Sequence, residues 1–171
     1  VDANGAFSPK DALQKLEKLA TLELHSIEQL IKQGQWNDMR TLCEQTPLPI
    51  GLDEELIGIV DVTKKRELLV TVEPQYIILK PSFIGGFKGS NTWINLAEKQ
   101  NIGWWITSAL ESNVGLNAIA QYTYTKNSNL PQGLGTGSLF TNNITSPLEV
   151  KNGALQYNPI LNWDFNLKMS P

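Results

Sequence analysis

The sequence predicts an α/β fold built from repeated strand–helix units, about six of the eight that close a (β/α)8 barrel of the TIM type. Two observations support this prediction. Short apolar runs typical of buried strands alternate with segments whose apolar residues recur at helical spacing. The polar residues that end successive strands recur at intervals of 25 to 27 residues, about the length of one strand, one helix and two loops. These strand-end residues are Asp2, Glu28, Asp53, Lys80 and Thr107.

The first helix is predicted from residue 9 to residue 20. Ser8 is a residue type that caps helices, Pro9 suits the first helical position, and Asp11 places an acid in the first turn. Leucines then follow at helical spacing. The other predicted helices span residues 36–45, 63–72, 90–100 and 114–125, and the predicted strands span residues 22–28, 49–53, 76–80 and 103–107.

The last part of the chain departs from this alternation. A glycine-rich run at residues 132–137 falls where the next strand is expected. Further on, Asn152-Gly153 lies between short apolar runs, which indicates a β-hairpin. We therefore expect a partial barrel over residues 1–146 and a C-terminal extension over residues 147–171 that packs back on the barrel.

A doubly wound open sheet is the rival architecture, because it also alternates strands and helices. An open sheet would not need an ionisable residue at the end of four consecutive strands. In a closed barrel the carboxyl ends of the strands surround one point above the axis, where active sites lie. The strand-end residues therefore favour the barrel.

The composition, with 41% hydrophobic and 18% charged residues, is that of an ordinary globular protein. The net charge is −3 and the basic residues are scattered, so no nucleic-acid partner is expected. No apolar run approaches the ~20 residues of a membrane span, so no membrane partner is expected. The single cysteine, Cys43, excludes an intrachain disulfide and suits a reducing compartment, which favours a cytoplasmic location.

Three of the strand-end residues, Asp2, Glu28 and Asp53, are carboxylates on consecutive predicted strands. Brought together in a barrel without a cation, they would repel one another and raise each other's pKa values. An oxygen-only ligand set with open positions suits Mg²⁺, and Mn²⁺ is the alternative ion. Taken singly, Asp2 could be a turn residue, Glu28 a surface acid and Asp53 a helix cap.

Lys80 closes the most apolar predicted strand and is followed by Pro81. A lysine in this position either points into the site or extends its stem towards solvent. Beside a divalent metal ion its pKa would fall, so it could serve as an acid, a base or a fixed cation.

Six segments resemble motifs of the o-succinylbenzoate synthases, a family of the muconate-lactonizing-enzyme-like subgroup of the enolase superfamily. The early matches are VDANG at residues 1–5, SIEQ at 26–29, LDE at 52–54 and LKPS at 79–82. The later matches are residues 106–121 and 131–143. The segments occur in the order of the family and cover nearly the whole chain. By this resemblance the units are strands 3 to 8 of the barrel.

The resemblance implies that Asp2, Glu28 and Asp53 hold Mg²⁺ and that Lys80 is catalytic, stabilising an enediolate as a fixed cation. The implied enzyme is a carbon–oxygen lyase acting on a small-molecule carboxylate. Its reaction is the syn-dehydration of 2-succinyl-6-hydroxy-2,4-cyclohexadiene-1-carboxylate to o-succinylbenzoate in menaquinone biosynthesis. The implied substrate-binding residues are Thr107, Ser108, Glu111, Ser112, Asn113, Gly133, Leu134 and Gly135.

The sequence departs from the family pattern in several respects. Leu30 stands where the fourth-strand motif usually has Pro. The second-strand Lys-x-Lys pair, which supplies the proton-abstracting base, has no counterpart, and Lys64-Lys65 lies in a predicted helix of the wrong unit. The first two barrel units, and the N-terminal capping domain that closes the substrate pocket, also have no counterpart in this sequence. We therefore expect a piece of a longer protein that is inactive on its own. A homo-oligomer is compatible with the sequence.

Two other functions stay open. An N-acylamino acid racemase or dipeptide epimerase of the same superfamily would share the metal ligands and differ mainly in loops and pocket residues. A non-catalytic binding protein that kept the barrel is the alternative from a different class. Upstream sequence without a Lys-x-Lys pair would favour the binding protein.

Overall fold

The computed structural model describes residues 1–165. The chain divides into two compact units, Val1–Trp105 and the part that begins at Ile106. The predicted extension falls within the second unit, and its residues 166–171 lie outside the described residues. The boundary predicted at residue 146, and the packing of the extension on the barrel, therefore stay predictions.

The first unit alternates helices and strands along the chain. Its helices are α1 (Pro9–Ala20), α2 (Trp36–Gln45), α3 (Val62–Val72) and α4 (Gly86–Glu98). Its strands are β1 (Ile27–Glu28), β2 (Ile50–Leu52), β3 (Tyr76–Leu79) and β4 (Gly103–Ile106), the last of which ends at the boundary between the units. A 3-10 helix, Glu54–Leu56, follows β2.

The strands form one sheet in the order β1-β2-β3-β4. The pairings of β1 with β2 and of β2 with β3 are parallel, with Ile27 opposite Ile50 and Leu52 opposite Ile77. Asp2 continues the sheet beyond β1 through a parallel bridge to Glu28. The sheet confirms the predicted α/β fold with parallel strands, in which each helix connects one strand to the next.

Burial of apolar side chains between the sheet and the helices stabilises the first unit. Ile50 and Ile77 from the sheet are fully buried, as are Leu16 from α1, Leu68 from α3 and Trp93 from α4. Successive helices also contact one another, α1 with α2, α2 with α3 and α3 with α4. Burying a side chain of this size contributes about 1.5–3 kcal/mol.

The helix boundaries follow local chemistry. Ser8 caps α1 as predicted, its Oγ accepting from the Asp11 N–H at 3.3 Å. Helix α4 begins at Gly86, one turn before the predicted start at residue 90. The preceding residue has a left-handed φ of 97°, which glycine adopts without strain. The prediction missed this start because it relied on apolar spacing, and Gly85-Gly86 adds none.

Strand β1 is shorter than the predicted strand over residues 22–28. Glu23 has a φ of 52°, which breaks the extended conformation, and Leu22 is 64% exposed. The alternation of apolar and polar residues in this segment therefore reflects a turn rather than a half-buried strand. Only Ile27 and Glu28 pair with β2.

The second unit contains helix α5 (Asn113–Tyr124) and an antiparallel hairpin of β5 (Leu148–Lys151) and β6 (Ala154–Tyr157). Asn152 and Gly153 form the turn with φ values of 53° and 75°. Two left-handed residues in succession are typical of a two-residue hairpin turn. The predicted hairpin is confirmed.

Within residues 1–165, no helix has both the length and the apolar character needed to cross a membrane.

Candidate metal centre and active site

Three candidate residues of the first unit lie at the carboxyl ends of neighbouring strands. Glu28 is the last residue of β1, Asp53 directly follows β2, and Lys80 directly follows β3. Asp2 reaches the same edge through its parallel bridge to Glu28, whose carbonyl oxygen accepts from the Ala3 N–H at 3.0 Å. The predicted strand-end positions of Glu28, Asp53 and Lys80 are confirmed, whereas Asp2 lies in an isolated bridge rather than at the end of a strand.

Lys80 and Asp53 form an ion pair in which the Lys80 Nζ donates to the Asp53 Oδ2. The Asp53 side chain is 2% exposed and the Lys80 side chain 22% exposed, so the pair is shielded from water. Asp53 precedes the 3-10 helix, but its side chain makes no capping hydrogen bond there. The structure therefore contradicts two simpler interpretations, Asp53 as a helix cap and Lys80 as a lysine reaching solvent.

The Asp2 side chain is exposed, and its Oδ1 accepts from the Asn4 N–H at 2.8 Å. This hydrogen bond is that of a turn residue, as the simpler interpretation of Asp2 expects. It occupies one lone pair of one carboxylate oxygen. The other lone pairs of the Asp2 carboxylate are not used by this hydrogen bond and can ligate a metal ion.

The Glu28 carboxyl is half-buried beside two other carboxylates. Burial, followed by the negative charges of Asp2 and Asp53, raises its pKa from 4.5 to about 8. A side-chain hydrogen bond to Asp53 acts in the same direction, and the charge of Lys80 opposes it. Glu28 is therefore not a surface acid, and Asp2 and Asp53 are close enough to raise its pKa.

The Lys80 ammonium is held by the carboxylates around it. Burial alone would lower its pKa, but the hydrogen bond to Asp53 and the charges of Asp53 and Glu28 raise it above 10.5. The group is therefore a protonated, fixed positive charge in this state, since a lysine with a raised pKa gives up its proton less readily.

Glu54 is a fourth carboxylate at this edge, and the sequence analysis did not single it out. It opens the 3-10 helix directly after Asp53. Its Oε2 is buried and lacks a hydrogen-bond donor among residues 1–165. Burial raises the pKa of its carboxyl, and the neighbouring Asp53 charge contributes. The one signal in the sequence that could have identified Glu54 is that a second acid directly follows Asp53.

The chemistry of this cluster fits a hard divalent cation. Its donors are carboxylate oxygens, which Mg²⁺ prefers. The raised pKa of Glu28 and the unpartnered Glu54 Oε2 indicate too little positive charge nearby. Within residues 1–165, however, no three His, Cys, Asp or Glu side chains are arranged to hold a metal ion as they stand. Ligation by all three predicted carboxylates therefore requires a rearrangement of these side chains.

Lys64 and Lys65 do not replace the missing Lys-x-Lys pair. Lys64 pairs with Glu67 at 2.6 Å on the exposed face of α3. Lys65 is 1% exposed, and its Nζ donates to the carbonyl oxygens of Ile84 at 3.3 Å and Gly89 at 3.1 Å. Both lysines therefore have structural contacts, which agrees with the expectation that neither serves as the base.

The second unit contains the predicted substrate-binding residues. Thr107 directly follows β4 and forms a parallel bridge with Gly133, whose carbonyl oxygen accepts from the Thr107 Oγ1 at 2.8 Å. Ser108 lies next in the chain, is buried, and shares a hydrogen bond between its Oγ and the Thr136 Oγ1. Thr107, Ser108 and Gly133 are thus brought together.

Glu111, Ser112 and Asn113 lead into α5. The Glu111 Oε2 accepts from the Ala109 N–H at 2.8 Å, and Ser112 is the N-cap residue of α5. The Asn113 N–H donates to the Asn143 Oδ1 at 2.8 Å. These bonds fix the loop before α5, and contact with a substrate stays a prediction for all three residues.

Gly133 and Leu134 have sufficient structural explanations. A Cβ at residue 133 would clash with the Thr107 side chain, so the bridge requires glycine there. Leu134 is 8% exposed, which is typical of a packing residue. At Gly135 a Cβ would meet only the Val150 side chain, at 3.9 Å, so packing does not demand glycine. Their predicted contact with substrate remains untested.

Residues 1–159 match the model of the "Enolase C-terminal domain-like" family. Because the match covers most of the chain, the chain belongs to this family.

Two curated relatives show the range of named activities. The chain is 56% identical over 155 residues to an o-succinylbenzoate synthase of Desulfotalea psychrophila, with 91% of this chain and 42% of the relative covered. It is 28% identical over 121 residues to an L-Ala-D/L-amino acid epimerase of a Maribacter species, with 71% and 34% covered. The chain therefore spans about two fifths or less of these proteins.

A solved structure gives the same answer for the fold. The crystal structure of MenC from Desulfotalea psychrophila superposes with a TM-score of 0.88 at 56% identity. The match covers 91% of this chain and 43% of that one. Together with the parallel sheet, this likeness confirms that the chain has the fold of part of an enolase-type barrel.

Proposed function

We propose that this chain is the metal-binding part of an o-succinylbenzoate synthase. The complete protein would dehydrate 2-succinyl-6-hydroxy-2,4-cyclohexadiene-1-carboxylate to o-succinylbenzoate, as a step of menaquinone biosynthesis. The observation that carries the proposal is the 56% identity over 155 residues to an o-succinylbenzoate synthase.

Asp2, Glu28 and Asp53 would hold the divalent cation, with Mg²⁺ as the expected ion and Mn²⁺ as the alternative. When bound, the cation supplies Lewis-acid stabilisation of the negative charge on the substrate carboxylate as its α-proton leaves. Support comes from the donor chemistry and from the raised pKa of Glu28, which a nearby cation would relieve.

Lys80 would act as a second, fixed positive charge. In the reaction an α C–H bond and then a C–O bond break, and the hydroxyl group leaves as water with a proton. Negative charge therefore develops on the carboxylate of the intermediate, where an ammonium can stabilise it. The raised pKa of Lys80 supports a role as a cation rather than as a base. The base would come from outside the matched motifs.

The predicted substrate-binding residues of the second unit would contact the succinyl side of the substrate. Ser108 and Glu111 also hold loop amides, of Leu110 at 3.2 Å and of Ala109 at 2.8 Å, which fixes the loop that would carry these contacts. We also propose a cytoplasmic location, which the single buried thiol of Cys43 supports.

The second candidate is epimerisation at the α-carbon of an acylated amino acid or dipeptide. The 28% identity to an L-Ala-D/L-amino acid epimerase favours it. Both reactions begin with loss of a proton α to a carboxylate, so the same strand-end residues would serve either one.

An assay of the complete protein separates the candidates. The proposal expects metal-dependent formation of o-succinylbenzoate, with far slower proton exchange on N-acylamino acids and dipeptides. Faster epimerisation than dehydration would favour the second candidate. Turnover of neither substrate, in a protein that still binds the carboxylate, would favour a non-catalytic binding protein.

A further inference from the structure

Gln29 directly follows Glu28 in the chain and is buried, with 1% of its surface exposed. Its backbone φ is 35°, a left-handed conformation that is uncommon for residues other than glycine. Such a conformation is strained and persists only where the surrounding structure fixes it. The hydrogen bonds of Gln29 therefore hold it in this conformation.

The side chain of Gln29 holds the segment that carries Asp53. Its Oε1 accepts from the Asp53 N–H at 3.1 Å and from the Glu55 N–H at 3.3 Å. Its Nε2 donates to the Ile31 carbonyl oxygen at 3.0 Å and to the Glu55 Oε2 at 3.2 Å. The carboxamide thus uses both of its donors and both acceptor positions.

The backbone of Gln29 connects two further segments. Its N–H donates to the Gly51 carbonyl oxygen at 2.9 Å, which continues the pairing of β1 with β2. Its carbonyl oxygen accepts from the Gly5 N–H at 2.7 Å, which ties down the turn after Asp2. One residue therefore contacts the segments that carry Asp2 and Asp53 and is itself the neighbour of Glu28.

Glu55 fixes the other end of this arrangement. The residue is 5% exposed, and its Oε1 accepts from the Gly34 N–H at 2.7 Å and from the Trp36 Nε1–H at 2.6 Å. Its Oε2 is the oxygen that anchors the Gln29 Nε2. A buried carboxylate with three donors is well satisfied, so Glu55 is a rigid anchor rather than a further free acid.

We propose that Gln29 is the positioning residue of the metal centre: acting through the Asp53 backbone and the Gly5 turn, it sets the spacing of Asp2, Glu28 and Asp53. This inference rests on the proposed function, because it assumes that these three carboxylates hold the cation. Groups that orient metal ligands through hydrogen bonds typically change metal affinity 10–100-fold when removed.

The test measures the affinity of the complete protein for Mn²⁺ alone, from the loss of the free-ion electron paramagnetic resonance signal, and for Mg²⁺ alone by calorimetry. Gln29→Met keeps the length of the side chain and removes its hydrogen bonds. We expect affinity for both ions to fall about 10–100-fold, with the protein still folded at the temperature of measurement.

Gln75→Met is the matched control. The Gln75 carboxamide also fixes β2, but at the opposite end of the strand: its Oε1 accepts from the Ile50 N–H at 2.9 Å, and its Nε2 donates to the Cys43 carbonyl oxygen at 3.1 Å. Both variants should lose stability, whereas only Gln29→Met should lose metal affinity. Equal affinities in the two variants would overturn the proposal, because Gln29 would then be merely structural.

A second variant covers the case in which Gln29→Met does not fold. Glu55→Gln leaves the Gln29 Oε1 contacts in place and removes the charged anchor of its Nε2. We expect a smaller loss of affinity, at least about threefold, and unchanged affinity would overturn the proposal. A wild-type protein that binds neither ion would overturn the proposed metal centre itself, and this inference with it.

Discussion

Lys80 and Lys65 are two shielded lysines of the same compact unit, and their surroundings differ in kind. Lys80 follows β3 and pairs with Asp53 beside Glu28 and Glu54. Lys65 lies in α3, and among the described residues its Nζ donates to the carbonyl oxygens of Ile84 and Gly89 and lies 5.1 Å from the centroid of the Trp93 ring. The pKa of Lys80 is raised by the carboxylates, whereas burial lowers the pKa of Lys65.

The charge of the surrounding groups distinguishes a functional lysine from a structural one here. Around Lys65 the partners are two neutral carbonyl oxygens, so no carboxylate there would change its charge interactions when a ligand binds. Around Lys80 several carboxylates face one ammonium, so a second cation or an anionic substrate would redistribute the charges. Shielding alone does not distinguish the two residues; the charge of the partners does.

The largest expected effect is that of Lys80→Ala on catalysis. In the complete protein we expect kcat for dehydration to fall at least about 10²-fold, because one preorganised stabiliser of transition-state charge is lost. An interaction made only in the transition state appears in kcat rather than mainly in KM. Steady-state kinetics with saturating Mg²⁺ gives both constants.

Lys65→Met is the control for that experiment, and wild-type turnover is expected from it at temperatures where it is folded. Its Met side chain keeps the apolar stem that packs near Trp93. If Lys80→Ala turned over at the wild-type rate, or if Lys65→Met lost as much kcat as Lys80→Ala, the distinction between the two lysines would be wrong.

The second effect is on stability. Lys65→Met leaves the Ile84 and Gly89 carbonyl oxygens without the ammonium donor, and a buried acceptor left unpaired costs about 1–3 kcal/mol. Removal of a desolvated charge offsets part of this cost, so we expect a net loss of about 1–2 kcal/mol. Urea unfolding of the complete protein measures it. A variant as stable as the wild type would contradict this expectation, because removal of the desolvated charge would then offset the lost hydrogen bonds completely.

The smallest effect is a pH dependence. Because burial lowers the pKa of Lys65 in the folded state below 10.5, the unfolded state holds its proton to higher pH. As pH rises through the window below 10.5, the unfolded state therefore binds more protons, and the free energy of unfolding rises with pH. The stability of the wild type relative to Lys65→Met should therefore increase as pH rises towards 10.5. A constant difference would show that the ammonium is not desolvated.

Much of the site edge could be predicted from the sequence. The interval of 25 to 27 residues reflects a physical unit of one strand, one helix and two loops. It correctly placed Glu28, Asp53 and Lys80 at strand ends, because residues at equivalent points of repeated units occupy equivalent points of a parallel sheet. The capping chemistry of Ser8 and the Asn152-Gly153 turn were equally readable, since both are local.

The rest depends on contacts between residues far apart in the chain. The pairing of Lys80 with Asp53 joins residues that follow adjacent strands. The Glu54 Oε2, which lacks a donor among residues 1–165, lies in a 3-10 helix that the sequence did not reveal. The sequence shows Gln29 only as part of a motif, because its hydrogen bonds to Asp53 and Glu55 join segments that are far apart in the chain. Local alternation also misled, as in the segment before β1, where a left-handed residue interrupts the expected strand.

In the proposed centre, Asp2, Glu28 and Asp53 together hold one divalent cation. Calorimetric titration of Mg²⁺ into the complete protein and into its Asp53→Asn variant measures the contribution of one of these ligands. Because loss of a group that only orients a ligand costs 10–100-fold in affinity, loss of a ligand should cost at least about 10²-fold. We predict one Mg²⁺ site in the wild type and affinity weakened to this extent in the variant. Equal Mg²⁺ affinity in the two proteins would contradict the account.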